Sequence, residues 1–321
     1  MALLSICIPT LNRLDFLKAS LSELVPAAQL LGVEVCVSDN ASSDGTASFL
    51  AGLVSQYPCL KVRKFDVKVD IDSSMMAAIA MGTGEYIFPL GDDDCIEPGA
   101  LGLLLTYLHR QDDMVVLNGW HTGPQLQKIH LHLGDDFAGK AYDRPDAAFS
   151  CLWDKMPFGS FVARANLFPQ ALSTRFHGTS HAYTGVVWDA LAKKFETDAV
   201  CRVSCMAEPV VLLRGAEKTW RKDAIDILLF QIGVWFWRVS HQKIYRHAVL
   251  EAMKGYGRIY LKFSKLIRYR CAGELQWSSF KGLLSMWPQR RFVILAAMLL
   301  PPSLLRRYLK RRGVDYSVTG L

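Results

Sequence analysis

The stretch YIFPLGDDDCIEPG, residues 86–99, carries three consecutive aspartates directly after an apolar run. The carboxylates of Asp92, Asp93 and Asp94 repel one another unless a cation or a proton offsets their charge. The preceding residues have the composition of a buried strand, so the acids should lie where that strand ends. Three uses fit such a cluster: holding a hard divalent cation, supplying a general base, or forming a solvated turn.

The chain before this stretch alternates between strand-like and helix-like segments. Strands are predicted over residues 3–10, 33–40, 60–67 and 85–90, and helices over 13–31, within 42–57 and over 73–84. This alternation predicts an α/β fold with a mostly parallel sheet and helices on both faces. Polar segments follow three of the strands: PTLNR (9–13), SDNASSDGT (38–46) and GDDD (91–94). They should meet at the carboxyl edge of the sheet, where such folds bind ligands, and this convergence favours metal binding by the aspartates.

The periodic signals are weaker after the aspartates. A helix is predicted over 97–110, strands over 113–121 and 160–167, and a loop running into a helix over 177–195, with no clear period in 121–150. From residue 215 the chain changes to apolar and basic stretches with helical spacing. Residues 1–214 carry a net charge of −7 and residues 215–321 a net charge of +14, which together give the chain's +7. We therefore predict a domain over 1–214 and a basic, mainly helical extension over 215–321.

The cysteines and the amino-terminal residues bear on the compartment. Eight cysteines are scattered along the 321 residues without a C-x-x-C pair, which predicts a reducing compartment and no structural zinc site. The start MALLSICIPT lacks the basic region of a signal peptide, and no window offers 18 clean apolar residues. Neither a secretory leader nor a transmembrane helix is expected.

Three motifs together resemble a known family. SICIPTLNR (5–13), VCVSDNASSDGT (35–46) and GTGEYIFPLGDDD (82–94), in this order and spacing, are similar to the nucleotide-sugar-binding half of family 2 glycosyltransferases. Within that family they resemble the abequosyltransferase-like enzymes of bacterial O-antigen and surface-polysaccharide assembly. The resemblance implies a GT-A, Rossmann-like fold over 1–214. It also implies nucleotide-sugar binding over about 1–100 and an acceptor side over about 101–214.

The resemblance also implies roles for individual residues. The nucleotide-sugar-binding residues would be Pro9, Thr10, Asn12, Arg13, Asp39, Asn40, Ser43, Asp44, Asp72, Asp92 and Asp93. Asp39 would accept a hydrogen bond from the pyrimidine base, and Asp93 would lie near the ribose and the sugar. Asp94, assisted by Asp92, would hold Mg²⁺ or Mn²⁺, which neutralises a diphosphate leaving group. One departure is KVDIDSS (68–74), which replaces the family's frequent Asn-x-Gly. The resemblance therefore does not define the sugar end of the donor pocket.

The resemblance implies inversion at the anomeric carbon, which requires a general base. His181 lies in a Gly/Ser/Thr-rich loop before a predicted helix, so it could be that base or an extra metal ligand. The alternative is a loop histidine bonded to backbone. His177 and Asp189 in the same segment are weaker candidates, and Asp154, in CLWDKMPFGS (151–160), is another.

The basic extension predicts contact with a membrane surface. Residues 292–300 are uniformly apolar, end at Pro301, and are flanked by arginines at 290, 291, 306 and 307. This pattern suits an interfacial helical hairpin held to an anionic leaflet. Packing on the first domain or on a second copy in a homo-oligomer is the main alternative. Nucleic acid is disfavoured as a partner.

These patterns predict a metal-dependent, inverting hexosyl- or deoxyhexosyltransferase. It would move a sugar from a nucleotide-diphosphate sugar to a surface glycan, expected to be lipid-linked, at the inner face of the cytoplasmic membrane. The alternative is a non-catalytic nucleotide-sugar-binding scaffold subunit of a glycan-assembly complex. A nucleotidyltransferase is disfavoured because no Gly-rich phosphate loop with Arg or Lys follows the first strand.

Overall fold

The structure, a computed structural model, describes residues 2–215, 225–273 and 275–311, and leaves the side chains of 171–173 undescribed. The chain divides into two compact units, Met1–Glu217 and Lys218–Leu321.

The first unit is built from strands and helices in alternation. Its strands are β1 (Leu4–Thr10), β2 (Glu34–Asp39), β3 (Leu60–Lys64), β4 (Tyr86–Pro89), β5 (Cys95–Ile96), β6 (Met114–Thr122), β7 (Lys128–Leu131), β8 (Ala141–Tyr142), β9 (Phe161–Arg164) and β10 (Val203–Arg214). Its helices are α1 (Leu14–Leu31), α2 (Thr46–Val54), α3 (Ile71–Met81), α4 (Ala100–Leu108), α5 (Gly134–Phe137), α6 (Pro145–Leu152), α7 (Gln170–Phe176) and α8 (Ala182–Asp198). A 3₁₀ turn covers Ala165–Leu167.

The strands form a single sheet in the order β3-β2-β1-β4-β9-β6-β10-β5, with β7 beside β6 and β8 beside β10. The pairs from β3 to β4 are parallel, as are β6 and β10. β9 is antiparallel to both β4 and β6. Two successive reversals restore the original direction, so β6 and β10 run the same way as β1. The carboxyl ends of β1, β2, β4, β6 and β10 therefore lie at one edge of the sheet.

Helices cover both faces of the sheet, as the sequence predicts. On one face Leu4, Ile6 and Ile8 of β1 share a buried apolar cluster with leucines of α1 and α4. On the other face the hydroxyls of Ser38 in β2 and Ser74 in α3 lie 3.2 Å apart. Alternate residues of a strand point to opposite faces, so a strand covered by helices on both sides reads as a continuous buried run.

The predicted α/β fold is confirmed, and the sheet adds detail that the sequence pattern does not contain. The four strands predicted before the aspartates are present as β1 to β4. The long strand β10 has no counterpart among the predictions, and the antiparallel β9 interrupts the expected parallel order. Residues 121–150 contain β7, α5 and β8, which have four, four and two residues. Elements this short cannot show a period.

The second unit is helical throughout its described residues, which confirms the predicted helical extension. Its elements are a π-helical turn (Asp226–Gln231), α9 (Ile232–Val239), α10 (Arg246–Tyr260), α11 (Phe263–Ala272), α12 (Phe280–Met286), α13 (Arg291–Leu299), α14 (Pro302–Arg311) and 3₁₀ turns at Lys243–Tyr245, Trp277–Ser279 and Pro288–Arg290. Residues 216–224, 274 and 312–321 of the predicted extension lie outside the described residues.

Aromatic side chains form the core of the second unit. Trp235, Phe236 and Trp287 are buried, and the Tyr256 ring stacks on Trp287 at a centroid distance of 5.6 Å. Trp287 satisfies its indole N–H by donating to the Leu229 carbonyl at 2.8 Å. Within the described part of the chain, no single helix is long and apolar enough to cross a bilayer. Pro288–Leu299 and Pro302–Arg311 reach that length only as a pair, bent by 88°.

Candidate active site

A tight turn after β4 presents the three aspartates at the carboxyl edge of the sheet. The Asp94 N–H donates to the Gly91 carbonyl at 3.3 Å and closes the turn. A Cβ on Gly91 would lie 2.6 Å from Asp94 Oδ2 and 3.1 Å from Asp93 Oδ1. Glycine is needed before the acids because the carboxylates fold back over its backbone.

Arg13 supplies the charge that offsets the first two aspartates. Its Nε lies 3.2 Å from Asp92 Oδ1, and its Nη2 lies 2.5 Å from Asp93 Oδ2. The Thr10 hydroxyl, at the end of β1, donates to Asp92 Oδ2 at 2.8 Å. The Arg13 guanidinium also lies 4.8 Å from the ring centre of Phe16. The loops after β1 and β4 are thus joined by a partly buried ion-pair network.

Asp94 differs from its neighbours because it is buried with one oxygen unused. Its Oδ1 accepts the backbone N–H of Arg214, the last residue of β10, at 2.9 Å. Its Oδ2 accepts no hydrogen bond from the described residues, and a Cβ on Gly159 would lie 3.0 Å from that oxygen. Burial is the main cause that raises the pKa of Asp94 well above its ordinary value, and the negative charge of Asp93 adds to the rise. Burial likewise raises the pKa of Asp92 to about 6 although Arg13 opposes the shift.

The acidic turn fits a divalent cation that is shared with a bound phosphate. Among the described residues, no group of three or more His, Cys, Asp or Glu side chains is arranged to hold a metal ion unaided. Mg²⁺ at nucleotide sites commonly takes one or two carboxylates, with phosphates and water completing its shell. Asp94 Oδ2, next to Asp92 and walled by Gly91 and Gly159, offers a donor set of this kind.

Asp39 ends β2 and also carries an unused oxygen. It is fully buried, and its Oδ1 accepts the Ser42 N–H at 3.0 Å. Its Oδ2 is buried without a hydrogen-bond partner in the described structure. A buried acceptor left unpaired costs about 1–3 kcal/mol, so this oxygen is suited to an N–H donor on a ligand.

Other predicted nucleotide-binding residues contact the protein's own backbone. The Asn40 side chain donates to the Val69 carbonyl at 2.8 Å and accepts the Val69 N–H at 2.7 Å. Asn12 Oδ1 accepts the Ser43 N–H at 2.8 Å. These residues tie neighbouring loops together at the carboxyl edge of the sheet.

Two further predicted nucleotide-binding residues also contact only the protein itself among the described residues. Asp44 accepts the Leu14 N–H at 2.9 Å at the start of α1 and the Thr46 hydroxyl at 2.6 Å at the start of α2. Pro9 lies buried within β1, paired in register with Ser38.

Asp72 lies at a different place from the other predicted nucleotide-binding residues. It is buried on the first turn of α3, and its carboxylate accepts backbone N–H groups of Thr179, Ser180 and Ala182. All its described hydrogen bonds go to this turn before α8. The geometry therefore links Asp72 to the segment that carries His181 rather than to the acidic turn.

His181 immediately precedes α8 and has a defined tautomer. Its Nδ1 lies 2.9 Å from the Thr179 carbonyl oxygen, which can only accept, so Nδ1 carries the proton. Nε2 of the neutral ring then holds a lone pair. Burial lowers the pKa of His181, although the Thr179 contact and Asp72 oppose the shift. A neutral imidazole at pH 7 with a free lone pair can accept a proton.

Tyr183 connects this segment to the acidic turn. Its ring stacks on Phe158 at 4.5 Å, next to Gly159, and its hydroxyl donates to the Met156 carbonyl at 3.3 Å. Burial is the main cause that raises the pKa of Tyr183, and the negative charges of Asp72 and Asp94 add to the rise. The start of α8 therefore lies within electrostatic reach of Asp94.

The other candidate bases lie in different environments. Asp189 is buried in α8, with Arg175 at 2.7 Å and Lys193 at 3.0 Å. A carboxylate buried between two cations has no access to an acceptor hydroxyl, so the prediction of Asp189 as a base is wrong. Asp154 is exposed beside Lys155. His177 contacts Asp70, with Nε2 3.0 Å from its Oδ2.

Sequence reasoning missed Arg214, which reaches Asp94 from the end of β10. Arg214 and Gly159 both approach Asp94, and the Arg214 guanidinium lies 5.4 Å from the ring centre of Phe16. The apolar run ending in Arg214, VVLLR (210–214), was a usable signal for a strand whose end lies at the same edge.

Comparisons with known proteins agree with this geometry. A family model described as glycosyl transferase family 2 matches residues 5–167, slightly more than half of the chain. Abequosyltransferase RfbV of Salmonella typhimurium is 33% identical over 130 residues, which are 40% of this chain and only 39% of that protein. The resemblance to abequosyltransferase-like enzymes is therefore confirmed over that segment.

Solved structures show the same fold. S. aureus TarS 1–349 in complex with UDP-GlcNAc matches with a TM-score of 0.60 at 13% identity, over 98% of this chain and 93% of that chain. The same protein in complex with UDP gives a TM-score of 0.55 at 14% identity, over 99% and 90%. With the family model spanning both the acidic turn and the loops that face it, the chain belongs to glycosyl transferase family 2.

Proposed function

We propose that this protein is a metal-dependent, inverting glycosyltransferase that uses a nucleotide-diphosphate sugar. The observation that carries the proposal is Asp94, a buried carboxylate with an unused Oδ2 between two glycines at the carboxyl edge of the sheet. Asp39, with its own unused buried oxygen, ends β2 at the same edge, with β1 between β2 and β4. The cation, the diphosphate and the nucleotide base would thus be bound along one row of strand ends.

Asp94 and Asp92 would hold Mg²⁺ or Mn²⁺, which when bound neutralises charge on the diphosphate leaving group. Asp39 Oδ2 would accept an N–H of the nucleotide base and orient it. Arg13, which neutralises Asp92 and Asp93 in the structure, would remain beside the diphosphate as a second positive charge. The turn around Gly91 excludes side chains from the space next to the carboxylates.

His181 would act as the general base. Its Nε2 lone pair would take the proton from the acceptor hydroxyl as that oxygen attacks the anomeric carbon from the face opposite the diphosphate. The Nδ1–H bond to Thr179 sets the ring orientation and the tautomer this step requires. Transfer with inversion follows from a single displacement of this kind.

The acceptor would be a lipid-linked surface glycan, with the enzyme at the inner face of the cytoplasmic membrane. Supporting this, residues 275–311 contain no Asp or Glu but seven Lys and Arg residues. Phe292 and Leu299 on α13 are 73% and 64% exposed, and Leu304 and Tyr308 on α14 are 57% and 52% exposed. Exposed apolar side chains among basic residues suit an anionic bilayer surface.

The test measures nucleoside diphosphate release from UDP-, CDP-, GDP- and dTDP-sugars, with and without Mn²⁺. One donor should raise the melting temperature, since a ligand at 100 times its dissociation constant adds about 2.7 kcal/mol of stability. That donor should be hydrolysed slowly, only with the metal. Binding without any release from the four donors would contradict catalysis and support the scaffold alternative, which the altered KVDIDSS segment (68–74) favours.

A further inference from the structure

The carboxylate of Asp72 makes three backbone hydrogen bonds across more than 100 residues of sequence. Its Oδ2 accepts the Thr179 N–H at 3.0 Å and the Ser180 N–H at 2.9 Å, and its Oδ1 accepts the Ala182 N–H at 2.9 Å. Asp72 is 3% exposed. Ala182 is the first residue of α8, and a carboxylate that accepts its N–H lies where the helix dipole favours a negative charge.

The turn that donates these hydrogen bonds is strained. Ser180 has a φ of +57°, in the left-handed region that a residue with a Cβ rarely adopts. Such a conformation costs on the order of 1–2 kcal/mol and persists where surrounding contacts hold it. The bonds from Asp72 lie on both sides of Ser180 and at Ser180 itself, so they are placed to hold this conformation.

The first turn of α3 is in turn anchored on its other side. Asp70 caps α3 by accepting the Ser73 N–H at 2.9 Å. The residue before it, Val69, is held through both backbone groups by the side chain of Asn40, next to Asp39. The first turn of α3, which carries Asp72, is therefore connected by hydrogen bonds to the loop that follows β2.

We propose that Asp72 is a positioning residue, which holds the 179–182 turn so that His181 and Tyr183 are presented to the acidic turn. The catalytic consequence rests on the proposed function, because it assumes that His181 acts on the acceptor. The hold on the turn itself is independent of that assumption. Asp72 thus ties the acceptor side of the site to the nucleotide side.

Replacing Asp72 by Asn tests the charge and the acceptors at nearly constant volume. The amide offers one acceptor oxygen, and its NH₂ group would face at least one backbone N–H donor. Since small misplacements of catalytic groups can cost about 100-fold, we expect D72N to lower kcat roughly 10- to 100-fold with the donor KM unchanged. The donor is the one identified by the thermal-shift screen with Mn²⁺.

Asp113→Asn is the matched control. Asp113 is also a buried carboxylate, and its Oδ2 accepts the Arg202 N–H at 2.9 Å with Lys194 Nζ at 3.1 Å. It precedes β6, so it lies at the edge of the sheet opposite the aspartates. D113N should lower the melting temperature to a similar degree but leave kcat unchanged.

Amide hydrogen exchange gives a readout that needs no activity. Residues 179–182 should lose protection in D72N and keep it in D113N. Adding S180G to D72N should recover part of kcat, because glycine adopts the left-handed conformation without penalty. The double variant also serves if D72N alone does not fold.

Two results would overturn the proposal. One is D72N with protected amides at 179–182 and wild-type kcat. The other is D72N with those amides protected but with the thermal shift from the donor and Mn²⁺ lost, which would place Asp72 in the nucleotide pocket. If wild-type protein releases no nucleoside diphosphate, the proposed function fails, while the exchange comparison still decides the role of Asp72.

Discussion

The proposed nucleotide side and the proposed acceptor side of the site are built in different ways. On the nucleotide side, Thr10, Asp39 and Asp92 come from neighbouring parallel strand ends, and contacts between adjacent loops hold them. On the acceptor side, His181 sits on a strained turn that depends on a buried carboxylate from α3. The comparison shows that strand ends give a rigid place for charge, whereas the proton-accepting group relies on one distant anchor.

The largest expected effect is at the nucleotide side. Asp94→Asn should lower donor hydrolysis roughly 10²- to 10³-fold, because it removes the charge that would hold the cation at the diphosphate. Mn²⁺ binding, followed by electron paramagnetic resonance, should weaken in parallel. Asp146→Asn, which changes a half-buried carboxylate on α6 paired with Arg144, is the control and should change neither. Unaltered Mn²⁺ binding in D94N would refute the assignment.

The acceptor side should fail in a different manner. His181→Ala should lower transfer kcat roughly 10²- to 10⁴-fold while donor binding stays normal, because only proton acceptance is lost. Since burial lowers the pKa of His181, the wild-type rate should fall only below pH 6.5, as the ring becomes protonated on acidification. His130→Ala, an exposed histidine on β7, is the control. Loss of donor binding in H181A would mean that the two sides are not separable.

The comparison extends to the helical unit. Its exposed apolar side chains on α13 and α14 should affect binding to a lipid-linked acceptor and should not affect donor hydrolysis. The triple variant F292S/L299S/L304S should lower binding to anionic vesicles about tenfold or more, since each side chain can contribute about 1.5–3 kcal/mol when buried. Donor hydrolysis should persist. Leu30→Ser on α1, where leucine is 87% exposed, is the control. Undiminished flotation of the triple variant with phosphatidylglycerol vesicles would rule out these three side chains as the membrane contact.

The last expected effect concerns stability and pH at the nucleotide side. The pKa of Asp92 is raised to about 6 and that of Asp94 is also raised, so the folded protein binds protons more tightly than the unfolded chain. Stability should therefore fall as pH rises from about 4 to 6, by about 3 kcal/mol at most for Asp92. Mn²⁺ should restore melting temperature at pH 7.5 more than at pH 5. Equal stabilisation at both pH values would contradict a cation at these carboxylates.

The two sides also differ in how far the sequence predicts them. Thr10, Asp39 and the three aspartates lie in contiguous motifs directly after apolar runs, so their convergence follows from local pattern and parallel topology. The contacts of Arg214 with Asp94 and of Asp72 with Ser180 span 120 and 108 residues. No local period reports such pairings, because they depend on how distant elements fold onto one another.

The same reasoning explains the errors at individual residues. Asp189 resembled a candidate base because it follows His181 on a predicted helix, yet the helix buries it between Arg175 and Lys193. The order of β9, β6 and β10 could not be inferred either, since β10 pairs with β6 from almost 90 residues away. Pairings at this separation are set by tertiary packing of the whole sheet.

The contact of Arg13 with Asp92 and Asp93 has a consequence for ligand loading. Any cation that takes an Asp92 oxygen must compete with a guanidinium already tethered there, so metal alone should bind weakly. A diphosphate changes that balance, because it gives the displaced guanidinium a new anionic partner. Metal and donor should consequently bind with positive cooperativity, each lowering the other's dissociation constant by the same factor.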